Sequence, residues 1–375
     1  MRLPTFAGLV ALALMSAVLS AKEKLPDGIY AEFVTPHGSI VVKLLADEVP
    51  MTVTNFVGLA EGTLGPKKGT PYYTGLKWYR VVPGFVVQSG NPRQPEEGNA
   101  GDPFPDEFKP GLRHDQAGIL SMANGGPDTN SAEFFLTLGD QTRLNYLHSV
   151  FGRTVSGVEL LPQIKPDEAF SIKILRIGRA ARKFKADEAT FKSLVAKARP
   201  YRGQDVPGPT AHFDDQDNLL PVSPPRAQGF NYKLANFERT TGIKIVARMF
   251  AKAPPADEDK IPGAIMRALA QKHGVAQRGA FVAYFAADND WRVWIGDEST
   301  PAFLGRPTSA KDLVVEGAFH EAKEAFLKNV QVAGDAAFIA QQKAAPPDKP
   351  VAANQRLKLQ TDALLDGLIF KLEPR

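Results

Sequence analysis

The stretch WYRVVPGFVVQSGNPRQ, residues 78–94, sets Arg80 ahead of the apolar set Val81, Val82, Phe85, Val86 and Val87, and then places the amide of Gln88. A guanidinium stays charged and presents several donors in a fixed fork. Beside an apolar floor it can stabilise an acceptor that develops only in a transition state. Two further segments mix aromatic, aliphatic and hydrogen-bonding residues in a similar way: GILSMANGGPDTNSAEFFLTL at 118–138 and RLNYLHSVFGRTVSGVELL at 143–161. Other chemistries find less support. The six histidines, at 37, 114, 148, 212, 273 and 320, show no metal-ligand spacing, and all but His148 read as surface or capping residues. Ser121 and Ser131 lack the strand-turn-helix elbow of a nucleophilic serine. Gly125-Gly126 is followed by no lysine-serine pair, so it is not a phosphate loop. Neither a metal nor a cofactor is expected.

Short β segments must position these residues. IYAEFVT and SIVVKLL, joined at Pro36-His37-Gly38, read as a hairpin. A helix starts near Val49-Pro50 and stops at Gly62, with Val53, Phe56, Val57 and Ala60 as its buried stripe. Further strands are expected at 77–82, 85–88, 118–122, 134–137 and 171–177, and a second helix over Val155–Ile164. Many strands with few helices point to a closed antiparallel barrel plugged by helices.

The chain has 375 residues, which favours two domains. Its net charge of +4 is spread along the sequence, so no nucleic-acid partner is implied. Arg2 precedes a run without charge from Leu3 to Ala21, the pattern of a secretory signal over residues 1–21. There are no cysteines, hence no disulfide framework, no thiolate chemistry and no lipid-carrying cysteine after the signal. The expected address is exported, either periplasmic or secreted.

Taken together, WYRVVPGFVVQSG, SMANGGPDTNSAEFFLTL and RLNYLHSVFG, with FPDEF at 104–108 and LRHD at 112–115, resemble the cyclophilin family of peptidyl-prolyl cis/trans isomerases over residues 25–178. The resemblance implies an eight-stranded closed antiparallel barrel with two capping helices, acting on proline-containing polypeptides. It implies that Arg80 is the catalytic arginine, held by Gln88. Phe85, Phe135 and Leu144 would form the proline pocket with His148 at its edge, and Val86, Ala123, Asn124, Gly125 and Glu133 would complete the groove. The backbone of Asn124 would pair with the substrate main chain. Three positions depart from the commonest family pattern. Val86 stands where methionine is frequent, and Glu133 where glutamine is common. Arg143 stands where many eukaryotic members carry tryptophan, which argues against tight cyclosporin binding.

The physics of the reaction agrees with those roles. An amide resists rotation by about 18–20 kcal/mol because the nitrogen lone pair is shared with the carbonyl. In the twisted state that lone pair returns to nitrogen and can accept a hydrogen bond. An arginine at a buried edge over an apolar floor is a donor suited to it.

Beyond residue 178 the character changes. Residues 179–209 read as a basic linker helix followed by a proline- and glycine-containing linker, with Arg176, Arg179, Arg182, Lys183 and Lys185 clustered at its start. Residues 210–337 alternate helices and strands as a layered α/β domain. HFDDQDNLLPVSP, TTGIKIVARMF and RGAFVAYFAADNDWRVWIGDE there resemble the TPM domain of exported and membrane-associated proteins. Asp214, Asp215, Asp217, Asp288 and Asp290 could collect a cation, though turn and cap roles suit them better. Residues 338–375 form a C-terminal amphipathic tail in which Leu364, Leu365, Leu368, Ile369 and Leu372 can pack back onto the domain. An exported prolyl isomerase is the favoured expectation, with an envelope or membrane-surface partner for the second domain. The alternatives are a non-catalytic binder or chaperone of proline segments and a metal-dependent hydrolase in the C-terminal domain. The sequence leaves the oligomeric state open.

Overall fold

The computed structural model describes residues 25–90, 103–200, 206–221, 226–254, 263–314 and 317–374. The signal-like segment at 1–21, most of the proline-rich loop at 252–262, and Val315 lie outside the described residues.

The first half is an eight-stranded antiparallel sheet. Strands β1 (Gly28–Thr35) and β2 (Gly38–Leu44) form the expected hairpin, with Ile29 opposite Leu44 and Thr35 opposite Gly38. They are followed by β3 (Arg80–Val82), β4 (Val86–Ser89), β5 (Ile119–Met122), β6 (Phe134–Thr137), β7 (Val150–Ser156) and β8 (Ser171–Ile177). The order is β3-β4-β6-β5-β7-β2-β1-β8. The closed barrel expected from the sequence is corrected here, because the ladder is open between β3 and β8. Strand β3 is only three residues long, and β8 pairs with β1 along its whole length. Among the described residues the seam is spanned by an isolated bridge between Lys77 and Ala169, and by Trp78 N donating to Glu168 O (3.0 Å) and Asp167 N to Trp78 O (2.8 Å).

Aromatic rings fill the curved sheet. Phe33, Phe56, Trp78, Phe134 and Phe151 are each 0% exposed, and the Phe170 ring packs against Trp78, tilted by 34° with centroids 4.5 Å apart. Helix α1 (Pro50–Glu61) lies against this core with Val53, Phe56, Val57 and Ala60 buried as expected, proline at its start and Gly62 at φ 76 ending it. It has no side-chain cap of its own. Glu107, from the FPDEF motif, supplies one: its carboxylate accepts from Met51 N (3.1 Å), Thr52 N (2.8 Å) and Thr52 Oγ1 (2.8 Å). The first-turn N–H groups of a helix otherwise lack partners.

The helix expected over Val155–Ile164 is corrected as well. Val155 and Ser156 end β7, and Val158–Gln163 form a short 3-10 helix. The connector is two helices, α2 (Gly178–Lys183) and α3 (Glu188–Lys197). Helix α3 is docked as well as basic, since Phe191, Leu194 and Val195 pack onto the barrel core.

The second half is layered α/β. Its sheet has the order β12-β11-β10-β9, from β9 (Phe213–Asp215), β10 (Ile245–Phe250), β11 (Ala280–Phe285) and β12 (Asp290–Ile295). β10 runs parallel to β9 and β11, and β12 is antiparallel to β11. Parallel strands require crossovers, and α4 (Arg226–Thr241) and α5 (Ala264–Lys272) provide them. The short α6 (Thr300–Leu304) precedes a long helical pair, α7 (Ala318–Ala344) and α8 (Asn354–Leu372). Helix α7 runs through the expected boundary at residue 338. Leu364, Leu365, Leu368, Ile369 and Leu372 of α8 enter the second core. No helix among the described residues is long and apolar enough to cross a membrane.

Candidate active site

Strand alternation separates core from groove. Arg80 on β3 lies opposite Gln88 on β4, Gln88 opposite Phe135 on β6, and Phe135 opposite Ser121 on β5. The next row is Val81, Val87, Leu136 and Leu120, of which the last three are 0% exposed. Successive side chains in a strand face opposite sides, so one row fills the barrel and the other lines a groove. Residues Val82–Phe85 connect β3 to β4 through a turn in which Phe85 N donates to Val82 O (3.0 Å) and Gly84 has φ 68. Proline followed by a left-handed glycine is the signature of a type II turn.

Donor and acceptor chemistry dictates how Arg80 is held. Its Nη1 donates to Gln88 Oε1 at 2.8 Å. Because that amide oxygen is engaged, Gln88 Nε2 turns the other way and donates to Tyr79 Oη at 2.6 Å. The phenol in turn bonds the Glu133 side chain, and since a carboxylate only accepts, Tyr79 donates. Burial, and then the neighbouring Glu133 carboxylate, push the Tyr79 hydroxyl well above its ordinary pKa, so it remains a donor. Arg80 is exposed rather than set at a buried edge as the sequence suggested, yet its guanidinium carbon stays 5.6 Å from the Phe85 ring centre.

Val86, Ala123 and Phe135 form a small buried cluster with Phe85 and Leu144 packed against it. The His148 ring meets Phe135 edge-on at 5.4 Å. His148 Nδ1 donates to Met122 O (2.9 Å), and burial pulls its pKa down to about 4, against a raising effect of that bond. The ring is therefore neutral at physiological pH. Ala123 N donates to the backbone oxygen of Glu133 (2.9 Å), and the Asn124 side chain donates to Leu147 O (2.8 Å) and accepts from Gly126 N (3.3 Å). Gly125 N donates to Thr129 Oγ1 (2.9 Å). These bonds set the loop at 123–126 along the edge of the apolar cluster.

Three residues matter here that the sequence did not single out for this place. Tyr79 precedes the arginine and carries the hydrogen-bonded chain described above. His114, expected at the surface, is 0% exposed and stacks on Phe135 at 5.8 Å. Its Nδ1 donates to Asn145 Oδ1 (3.0 Å), which leaves Nε2 to accept from Ser121 Oγ (2.9 Å), and burial lowers its pKa to about 3. Arg143, noted only as a departure, places its guanidinium 4.5 Å from the Phe85 ring centre and donates from Nε to Gln141 Oε1 (3.3 Å). Phe85 thus lies beside two cations, which a ring face attracts.

Of the acidic residues singled out in the second domain, Asp215, Asp217 and Asp290 serve local structure. Asp215 accepts from Leu219 N and Leu220 N, both at 2.9 Å, Asp217 from Ala251 N (2.8 Å), and Asp290 from Arg292 Nε (2.7 Å). Among the described residues no group of three or more histidine or acidic side chains is disposed to hold a metal ion.

Comparison with known proteins covers the first half of the molecule. Residues 30–178 match the family model described as cyclophilin type peptidyl-prolyl cis-trans isomerase/CLD. A probable peptidyl-prolyl cis-trans isomerase A of Mycobacterium leprae is 44% identical over 126 residues, spanning 32% of this chain and 69% of that protein. A peptidyl-prolyl cis-trans isomerase of Schizosaccharomyces pombe is 43% identical over 132 residues, spanning 34% of this chain and 80% of that one. Among solved structures, a Cryptosporidium parvum cyclophilin type peptidyl-prolyl cis-trans isomerase covers 40% of this chain and 98% of its own, with 28% identity and a TM-score of 0.35. An arginine held over an aromatic floor, inside a stretch matched by the family model and by relatives of this identity, makes the chain a member of the cyclophilin-type peptidyl-prolyl cis/trans isomerases.

Proposed function

We propose that this isomerase turns X-Pro bonds of client polypeptides by donating a hydrogen bond from Arg80 to the prolyl nitrogen while the proline ring rests on Phe85, Phe135 and Leu144. The observation that carries the reading is the Arg80 guanidinium, fixed by Gln88 Oε1 at 2.8 Å and kept over Phe85 beside the cluster of Val86, Ala123 and Phe135. In the planar ground state the prolyl nitrogen is a poor acceptor, because its lone pair is delocalised. As the acyl side rotates the lone pair localises, and the donor binds the twisted form more tightly than either planar isomer.

One bond is not the whole effect. Bringing exchange from tens of seconds to milliseconds requires about four decades, or roughly 5–6 kcal/mol. A charge-assisted hydrogen bond contributes about 1.5–3 kcal/mol. The apolar pocket accounts for the difference in this reading: it holds the ring while the acyl side moves, and it disfavours the more charge-separated planar amide. Neutral His148, at the pocket edge, adds no charge to this floor.

Arg80→Ala should therefore lower kcat/KM on a proline tetrapeptide about 10- to 150-fold, the rate equivalent of that bond. The loss should fall on kcat more than on KM. A variant as fast as the wild type would remove Arg80 from the mechanism.

The charge-free run from Leu3 to Ala21 after Arg2 supports export of the enzyme to a compartment where newly translocated chains fold. Sequencing the N-terminus of the protein recovered outside the cytoplasm tests this. Cleavage near Ser20 or Ala21 is expected, and a protein retained in the cytoplasm with Met1 intact would overturn it.

A further inference from the structure

The loop that builds one wall of the groove is anchored in the other domain. Tyr146 lies between Leu144 and His148 and adopts φ 58, a left-handed conformation that costs a non-glycine residue about 1–2 kcal/mol. Its ring is nevertheless 5% exposed and belongs to the core of the second domain, edge-on to Phe237 of α4 at 5.2 Å. Asn236 of α4 donates to Tyr146 O (2.7 Å), and the Tyr146 hydroxyl donates to Glu373, just past α8. Arg113 pairs with the same Glu373, and Arg239 of α4 pairs with Asp128 at 2.8 Å. These contacts fix α8 beside the turn at 142–144.

Between that turn and the pair α7–α8 lies a cleft of 420 Å³, a size that suits a ligand segment. Its isomerase wall is formed by Arg113 and the run from Asp140 to Arg143, and its far wall by residues such as Ala337, Leu359, Ala363 and Phe370. Arg143 belongs to both spaces, because it lines this cleft and covers the Phe85 ring of the proline pocket. The acidic residues of the far wall already have partners, Asp362 with Lys358 and Asp366 with Lys233. Their charges are matched, and the surface left to a ligand is chiefly apolar.

We propose that this cleft continues the substrate groove, and that it takes the extended client segment adjoining the proline by burying an apolar side chain against α8. The second domain is then part of the substrate site, a role that rests on the isomerase reading above. Its occupant is the client chain because Arg143, which lines the cleft, also lies over the Phe85 ring of the pocket assigned above to the proline, so the two spaces adjoin at that residue.

The test uses the full chain and two substrates: a proline tetrapeptide, and a longer peptide that extends the same core with leucine and phenylalanine. Ala363→Trp fills the cleft from α8, and Ala337→Trp fills it from α7. Each should lower the ratio of kcat/KM for the longer over the shorter peptide at least about tenfold, the lower end of what burying one aliphatic side chain contributes. The ratio does not depend on the fraction of active protein, so partial misfolding does not imitate the effect. A chain active on both peptides, with a ratio unchanged in both variants, overturns the proposal alone. A wild-type chain inactive on the tetrapeptide overturns the isomerase reading and the proposal with it.

Discussion

Arg80 is held by a chain of hydrogen bonds, and each link fixes the next. The arginine can only donate, so Gln88 must present its oxygen; the remaining amide N–H then needs an acceptor, and Tyr79 provides it while donating onward to Glu133. Tyr79→Phe removes both bonds of the phenol while keeping the ring. The Gln88 amide is then able to turn over and present its NH2 to the guanidinium. We expect kcat to fall about three- to tenfold, near the 1 kcal/mol of one hydrogen bond, with KM little changed. Glu133→Gln keeps an acceptor for the phenol and should lie between the wild type and the phenylalanine variant. Steady-state kinetics on a proline tetrapeptide check both, and an unaltered kcat in Tyr79→Phe would mean that Gln88 alone holds the arginine. The residue types of this site were legible in the sequence: Arg80, Gln88, Phe85, Phe135, Leu144 and His148 do converge. The chain through Tyr79 was not, because its links join residues as distant as 79 and 133 and depend on which way one amide turns. His114 was hidden for a related reason. A histidine in a polar motif gives no sign that Phe135, Asn145 and Ser121 enclose it.

At the scale of elements, alternation was the readable signal. The FF pair at 134–135 sends one ring into the barrel and the other into the groove, and the same alternation separates Val87 from Gln88. The strands at 80–82, 86–89, 119–122, 134–137 and 171–177 lie within about a residue or two of their expected limits for the last four, and β3 is shorter than expected. Closure was less readable, because it depends on where two edges meet in space, and here they meet just outside β3 and β8. The apolar residues Val155, Val158 and Leu161 recur every third position, a spacing that fits a 3-10 helix as well as an α-helix. Gly157 decides between them. Its φ is 82, and a Cβ there would approach Ser39 O to 2.5 Å, so the backbone turns at that point and only the residues beyond it coil. The connector read as a basic linker helix because its charges outnumber its large apolar residues. Those few apolar residues, Phe191, Leu194 and Val195, nevertheless share the face of α3 that meets the barrel.

At the scale of the whole molecule, the two halves are joined through the groove itself, and Tyr146 is where that join can be tested. Replacing it with glycine has two opposed effects. Glycine adopts φ 58 without strain, which favours the variant by about 1–2 kcal/mol. Removing the buried ring from among Phe108, Phe237 and the rest of the second core costs about 3–5 kcal/mol. The cavity effect is larger, so the docked arrangement should lose roughly 2 kcal/mol and the 142–148 loop should loosen. Arg80 and Gln88 lie on β3 and β4, outside this loop, so the deficit should appear as a raised KM on proline peptides with a nearly normal kcat. Limited proteolysis should also cut the chain between its halves more readily. Tyr146→Phe keeps the ring and loses only the bond to Glu373, so it should restore most of the affinity. If Tyr146→Gly binds and turns over peptides like the wild type, the second domain does not hold the groove in place. If KM recovers in the phenylalanine variant but stays raised in the glycine one, with kcat near normal in both, the ring supports the pocket as the core of the neighbouring domain supports the ring.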